Sequence, residues 1–144
     1  MKNILLVAVS LLLLFSAGSV LADTTWHTAN QKLVGWDASL GSEVTPQIPQ
    51  AQISYRVFLA NALTDPNKAN PAKIGETAET QFLITLNTPG KFVVGVSAIN
   101  TVDGEVVGES PIAWSDVAAD VLNGEVWGLQ YFPAPKKVGG LTIK

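Results

Sequence analysis

The amino-acid sequence predicts an all-β fold, an antiparallel sandwich of two sheets, and three observations carry that expectation. Runs that alternate apolar with polar residues, rich in valine, isoleucine and aromatics, recur along the chain with the period of two that marks half-buried strands. Clusters of Pro, Gly, Asn and Asp separate these runs at the short intervals typical of sandwiches. The chain has 144 residues and no cysteine. Past residue 22 it offers roughly 122 residues, enough to bury one core without disulfide staples.

The first segment is an address rather than a strand. Met1 to Ala22 carries one lysine, an apolar run from Ile4 to Phe15, small residues, and Val20-Leu21-Ala22 before Asp23. That is the layout of a secretory signal peptide. A membrane-spanning helix needs about 20 apolar residues, and Ser16, Gly18 and Ser19 interrupt this run. The expectation is a signal peptide over 1–22 and a mature chain that is soluble, free of the membrane, and secreted or periplasmic, with cell-surface association as a variant of that address.

The strands follow in order. Lys32 to Asp37 puts Val34 and Trp36 on one face. Ile53 to Ala60 sets Ile53, Tyr55, Val57 and Leu59 against Ser54, Arg56 and Phe58. Gln81 to Leu86 aligns Phe82, Ile84 and Leu86, and Lys91 to Asn100 aligns Phe92, Val94, Val96 and Ala98 against Val93, Gly95, Ser97 and Ile99. Asp103-Gly104-Glu105 has the chemistry of a hairpin turn. One stretch reads as a short helix: Ser115 as its cap, Asp116 in the first turn, Val117 and Val121 four apart, and Gly124 as its end. Glu125 to Phe132 alternates again, with Trp127, Leu129 and Tyr131 on one side, and Leu141-Thr142-Ile143 reads as one more strand.

Taken together these runs resemble a fibronectin type III domain. Val34-Gly35-Trp36-Asp37 is similar to that family's second strand with its core tryptophan, Ile53 to Leu59 to its third, and Thr80 to Leu86 to its fifth. Leu86 to Asn100, of the form L-x-x-P-G-x-F-x-V-x-V-x-A-x-N, resembles the family's corner and following strand, and Glu109 to Asp116 its last strand. The corner tyrosine of the family is Phe92 here, which removes the phenol hydrogen bond but leaves a ring for the core. The family's proline-led first strand is missing at the start, and Pro133 to Lys144 resembles it at the wrong end of the chain. With the signal peptide over 1–22 set apart, the resemblance implies a fibronectin type III-like sandwich over 23–116, and residues 117–144 are left as an extension that holds the short helix and one or two extra strands. That extension either packs on the sandwich or pairs with a neighbouring copy. Gly139 to Lys144 is the segment expected to supply the missing strand position.

Chemistry is sparse in the sequence. Nine Lys and Arg stand against twelve Asp and Glu, a formal net charge of −3, with no cationic stripe. Nucleic acid and anionic lipid are therefore not expected partners. The absence of cysteine removes thiolate nucleophiles and thiolate metal sites. His27, the only histidine, stands beside a tryptophan without a nucleophile in reach of the pattern, which reads as a strand residue rather than a base. Asp65, Asn67 and Asn70 lack the glycine and distal glutamate of a calcium loop and are explained by turn chemistry. No catalytic residue, cofactor or metal ligand is expected, and the chain is read as not an enzyme. The candidate ligand-binding pair is Trp127 and Tyr131, whose rings suit a sugar face or, with Leu129 between them, the cover of an open sheet. The expected function is a non-catalytic binding or structural module with a protein partner. The alternatives are a carbohydrate-binding module taking a polysaccharide on those aromatics, and a subunit that self-associates through its C-terminal strand in a strand-exchanged assembly.

Overall fold

The computed structural model describes residues 23–39, 48–135 and 137. Among them the chain is all-β, with nine strands in two sheets. They are β1 (Thr25–Thr28), β2 (Gln31–Gly35), β3 (Ile53–Asn61), β4 (Ala72–Thr77), β5 (Gln81–Thr85), β6 (Gly90–Val102), β7 (Glu105–Glu109), β8 (Ala113–Trp114) and β9 (Trp127–Tyr131).

The large sheet is built on β6. One side of β6 is paired along its length by β3, from Ile53 opposite Asn100 to Asn61 opposite Phe92, and β4 flanks β3. The other side is shared by three shorter strands in succession: β9 opposite Gly90 to Phe92, β8 opposite Gly95 and Val96, and β7 opposite Ile99 to Val102. Asp103 and Gly104, both at positive φ, close the β6–β7 hairpin as a two-residue turn. β2 and β5 pair antiparallel as a separate two-stranded sheet.

The core lies between the sheets. Val57, Val94 and Leu129 from the large sheet meet Val34, Ile84 and Leu86 from the other. These are the positions that the period-two pattern places inward, because successive side chains on a strand leave from opposite faces. Gly75 lets the sheets close on each other at one end: a Cβ there would stand 2.4 Å from the Phe82 ring, which occupies its place.

The outer face of the large sheet is also covered. A Cβ on Gly95 would lie 2.7 Å from Ile112 and 2.8 Å from the Trp114 ring. One on Gly128 would lie 2.5 Å from the ring of Trp26, its neighbour on β1. Each indole thus lies across a glycine on an adjacent strand, and each carries a lysine: Lys68 Nζ is 5.6 Å from the Trp114 ring centroid and Lys91 Nζ 4.8 Å from that of Trp26. Lys68 also bridges to Asp116 at 2.9 Å, tying the β3–β4 loop to this face.

Three features differ from what local pattern suggests. Thr25–Thr28 forms a strand, β1, and it pairs parallel with β9, so one pair in the fold is not antiparallel. The short helix expected after Ser115 is a single 3-10 turn, Leu122–Gly124, preceded by successive tight turns. Its intended cap is engaged elsewhere: Ser115 Oγ accepts the Val94 N–H at 2.9 Å, and the Ser115 N–H donates to the Val94 carbonyl at 2.9 Å. Ser115 therefore bridges the gap in the ladder between β8 and β9, and Asp120 accepts the Trp114 N–H at 2.9 Å to hold the excursion. Lastly, β9 is an interior strand between β1 and β6, so this part of the 117–144 extension completes the large sheet. Residues 1–22, expected to be the signal peptide, and the strand expected at 139–144 lie outside the described residues.

Candidate functional site

The small sheet is narrower than the large one, and a cleft of about 550 Å³ is left between them. Its wall on one side is the end of β2, where Gly35 and Trp36 follow Val34. Its floor is the inner row of β6, Val94, Val96 and Ala98, with Trp127 at the start of β9. Tyr55 stands beside Trp36, ring centroids 5.4 Å apart and edge-on, and its hydroxyl accepts the Ser39 N–H at 2.9 Å. Trp36 Nε1 is buried and has no hydrogen-bond partner among the described residues. A buried donor left unpaired is costly. Asp37, Ser110 and Asp120 supply polar groups along the same cavity.

Trp127 and Tyr131, the pair singled out from sequence, both face the inter-sheet side and pack against the core cluster, with Leu129 fully buried between them. Trp127 lines the cleft and Tyr131 does not, so the two rings are not brought together on one cavity. His27 sits across from Leu129 on β1, edge-on to Trp127 with ring centroids 6.4 Å apart. It borders a smaller cavity of about 190 Å³ with Lys32, Leu33 and Trp127. Asp65 uses both carboxylate oxygens locally, accepting the Ala69 and Asn70 N–H groups at 2.8 and 3.0 Å, which is the turn role its sequence suggests. No group of three or more His, Cys, Asp or Glu is assembled among the described residues. No described helix is long and apolar enough to cross a membrane.

What the sequence did not signal is the role of Trp36. Its alternation with Val34 marks it as core, and it is partly buried against that cluster. It is also the last inward residue on its strand, and whether an end residue meets a neighbour or a cleft depends on how many strands lie beside it. Sequence period carries no information on that.

A second exposed feature is the β6–β7 hairpin. All five residues of β7 are exposed, and a register shift between Asn100 and Thr101 leaves Val107 as the extra residue of a bulge. Val106 and Val107 are 45% and 60% exposed. The hairpin base is fixed by Glu109, which accepts from Arg56 and, at 2.6 Å, from the Ser97 hydroxyl.

No protein-family model matches the chain, and no curated protein and no solved structure is significantly similar to it.

Proposed function

We propose that the chain is an exported, fibronectin type III-like module without catalytic activity that acts through protein–protein contact, at the cell exterior or in the periplasm. Export rests on the signal-peptide layout of residues 1–22. The family likeness rests on the strand pattern and on a two-sheet architecture compatible with it.

The observation that carries the reading is the β6–β7 hairpin. Its apolar side chains, Val106 and Val107, are held out in water on a strand whose base is pinned by Arg56, Glu109 and Ser97. A bulge re-aims side chains away from the regular ladder, and exposed apolar groups on an ordered scaffold are a recognition feature. A photo-crosslinking residue at Val107, compared with one at the exposed Leu122 on another loop, tests it in the native compartment. The reading expects a discrete protein adduct at 107, absent at 122 and lost in V106D. Equal labelling at both positions, or none, contradicts it.

The carbohydrate reading draws on Trp127, which lines the cleft, with Tyr131 packed against the core beyond Leu129. A polysaccharide pull-down that is lost in the W127A/Y131A double variant, at unchanged melting temperature, would replace the protein-contact reading with this one.

A further inference from the structure

Asn123 is the one asparagine in the chain that glycine follows. It is exposed and sits in the 3-10 turn Leu122–Gly124, with φ 57° and ψ 13°. Asparagine visits this left-handed region more readily than most residues, and Gly124 follows it at φ 71°. Without a Cβ, that glycine leaves its own nitrogen open to approach from the preceding side chain. No residue of the turn is buried, and Leu122 is 81% exposed. The two backbone hydrogen bonds that close it are long. Gly124 N–H reaches the Val121 carbonyl at 3.2 Å and Glu125 N–H that of Leu122 at 3.3 Å, against a usual length of about 2.9–3.0 Å. A turn with little burial and weak bonds opens at low cost in free energy. Asn61 and Asn100, by contrast, lie inside β3 and β6, where ladder pairing fixes the backbone.

We propose that Asn123 is a site of self-modification, at which water converts the side-chain amide to aspartate or isoaspartate whenever this turn opens. The Gly124 nitrogen, having lost its proton, attacks Asn123 Cγ. A new N–Cγ bond closes a succinimide ring, the bond from Cγ to the amide nitrogen breaks, and that nitrogen takes up protons and leaves as ammonia. Water then adds to a ring carbonyl. Cleavage of the new N–Cγ bond gives aspartate, and cleavage of the original peptide C–N bond gives isoaspartate. Nothing is oxidised or reduced, and water is the only co-reactant. The closed turn holds the reaction off. At ψ 13° the Gly124 nitrogen nearly eclipses the Asn123 nitrogen and so stands away from Cγ, and its N–H is given to Val121. Reaction requires that bond to break and ψ to rotate, which makes opening the gate. Isoaspartate adds a methylene to the backbone, so the turn cannot close again on the same bonds. The change falls on the approach to β9, whose first residue, Trp127, donates its N–H to the Ser115 carbonyl at 2.8 Å.

The test holds the full-length, folded chain at mildly alkaline pH in water enriched in heavy oxygen, and maps its peptides by mass spectrometry. Label is expected at residue 123 together with loss of the amide, rising with time and with pH, and not at Asn61 or Asn100. A peptide of residues 119–128, which has no fold to close the turn, is expected to convert faster. Asp120→Ala removes the acceptor of the Trp114 N–H at 2.9 Å, and is expected to raise the rate in the folded chain several-fold toward that of the peptide. Asn123→Gln is expected to abolish labelling at 123. No label at 123 while the peptide converts would overturn the proposal, as would equal labelling at Asn61 or Asn100. Equal rates in the folded chain and the peptide, or a rate unmoved by Asp120→Ala, would contradict gating by the turn.

Discussion

On the outer face of the large sheet, Trp26 lies over Gly128 and Trp114 over Gly95, each beneath a lysine. On the inner face, β2 and β5 cover the half around Val57 and Ile84 and leave the cleft beside Trp36 and Trp127. Both faces belong to the same seven strands, yet one is sealed by single side chains and the other depends on a second sheet. A tryptophan across a glycine needs only one position on the neighbouring strand. Closing the inner face needs a strand with backbone partners of its own. The difference teaches how each face is closed: one by side chains from adjacent strands, the other by a second, narrower sheet.

The comparison makes claims that can be broken. The largest effect belongs to Leu129, 1% exposed in the shared core. Leu129→Ala is expected to cost about 2–5 kcal/mol in denaturant unfolding, the range for a fully buried leucine. A loss below ~1 kcal/mol would mean that β9 is an appendage to the sandwich and not part of its interior.

Next comes the sealed face. Gly95→Val forces a side chain into space held by Ile112 and Trp114, and overpacking of this kind typically costs about 1–3 kcal/mol. Pairing it with Trp114→Ala should recover part of the loss, because the obstructing ring is gone. Additive losses in the double variant would refute the indole-over-glycine account.

Ser115→Ala isolates the ladder repair. It leaves the buried Val94 N–H without the oxygen it uses at 2.9 Å, a loss of about 1–3 kcal/mol. Amide exchange should accelerate at Val94 before it does at Val57 on the neighbouring strand.

The smallest effect is electrostatic and lies on the rim. A hydrogen bond from Lys73, aided by the charges of Lys73 and Arg56, holds the Glu76 carboxyl below the ordinary glutamate value of 4.5. The folded pKa is the lower one, so the contribution is present above the unfolded-state value and is lost as pH falls through the folded one. Glu76→Gln should leave a slightly flatter acid limb in melting temperature against pH, with no change in the neutral range. A change of slope near neutrality would assign the effect to another group.

The inner strands were legible because a residue's neighbours two positions away are enough to specify them. Tyr55, Val57, Ile84 and Val94 all face inward as their alternation demands. The Asp103-Gly104 turn was legible for a similar reason, since the backbone conformation it needs is a property of those two residues. The segment after Ser115 was not. Its helical cap and spacing are genuine local signals, but the serine hydroxyl is taken by Val94, 21 residues away in sequence. At β1 the strand character of His27 was legible, but its parallel partner, about a hundred residues later, was not. The cleft is one step further from sequence. It arises where a sheet runs out of strands, and Trp36 carries no mark of that.

The central claim, that β9 is an interior strand of the large sheet and not an appendage to it, is most directly tested by residue-resolved amide exchange on the full-length protein across Gly128 to Tyr131. If the claim holds, these amides are protected without a break, because alternate ones donate to β1 and to β6. Alternating protection, or exchange as free as in the exposed residues of β7, would contradict it.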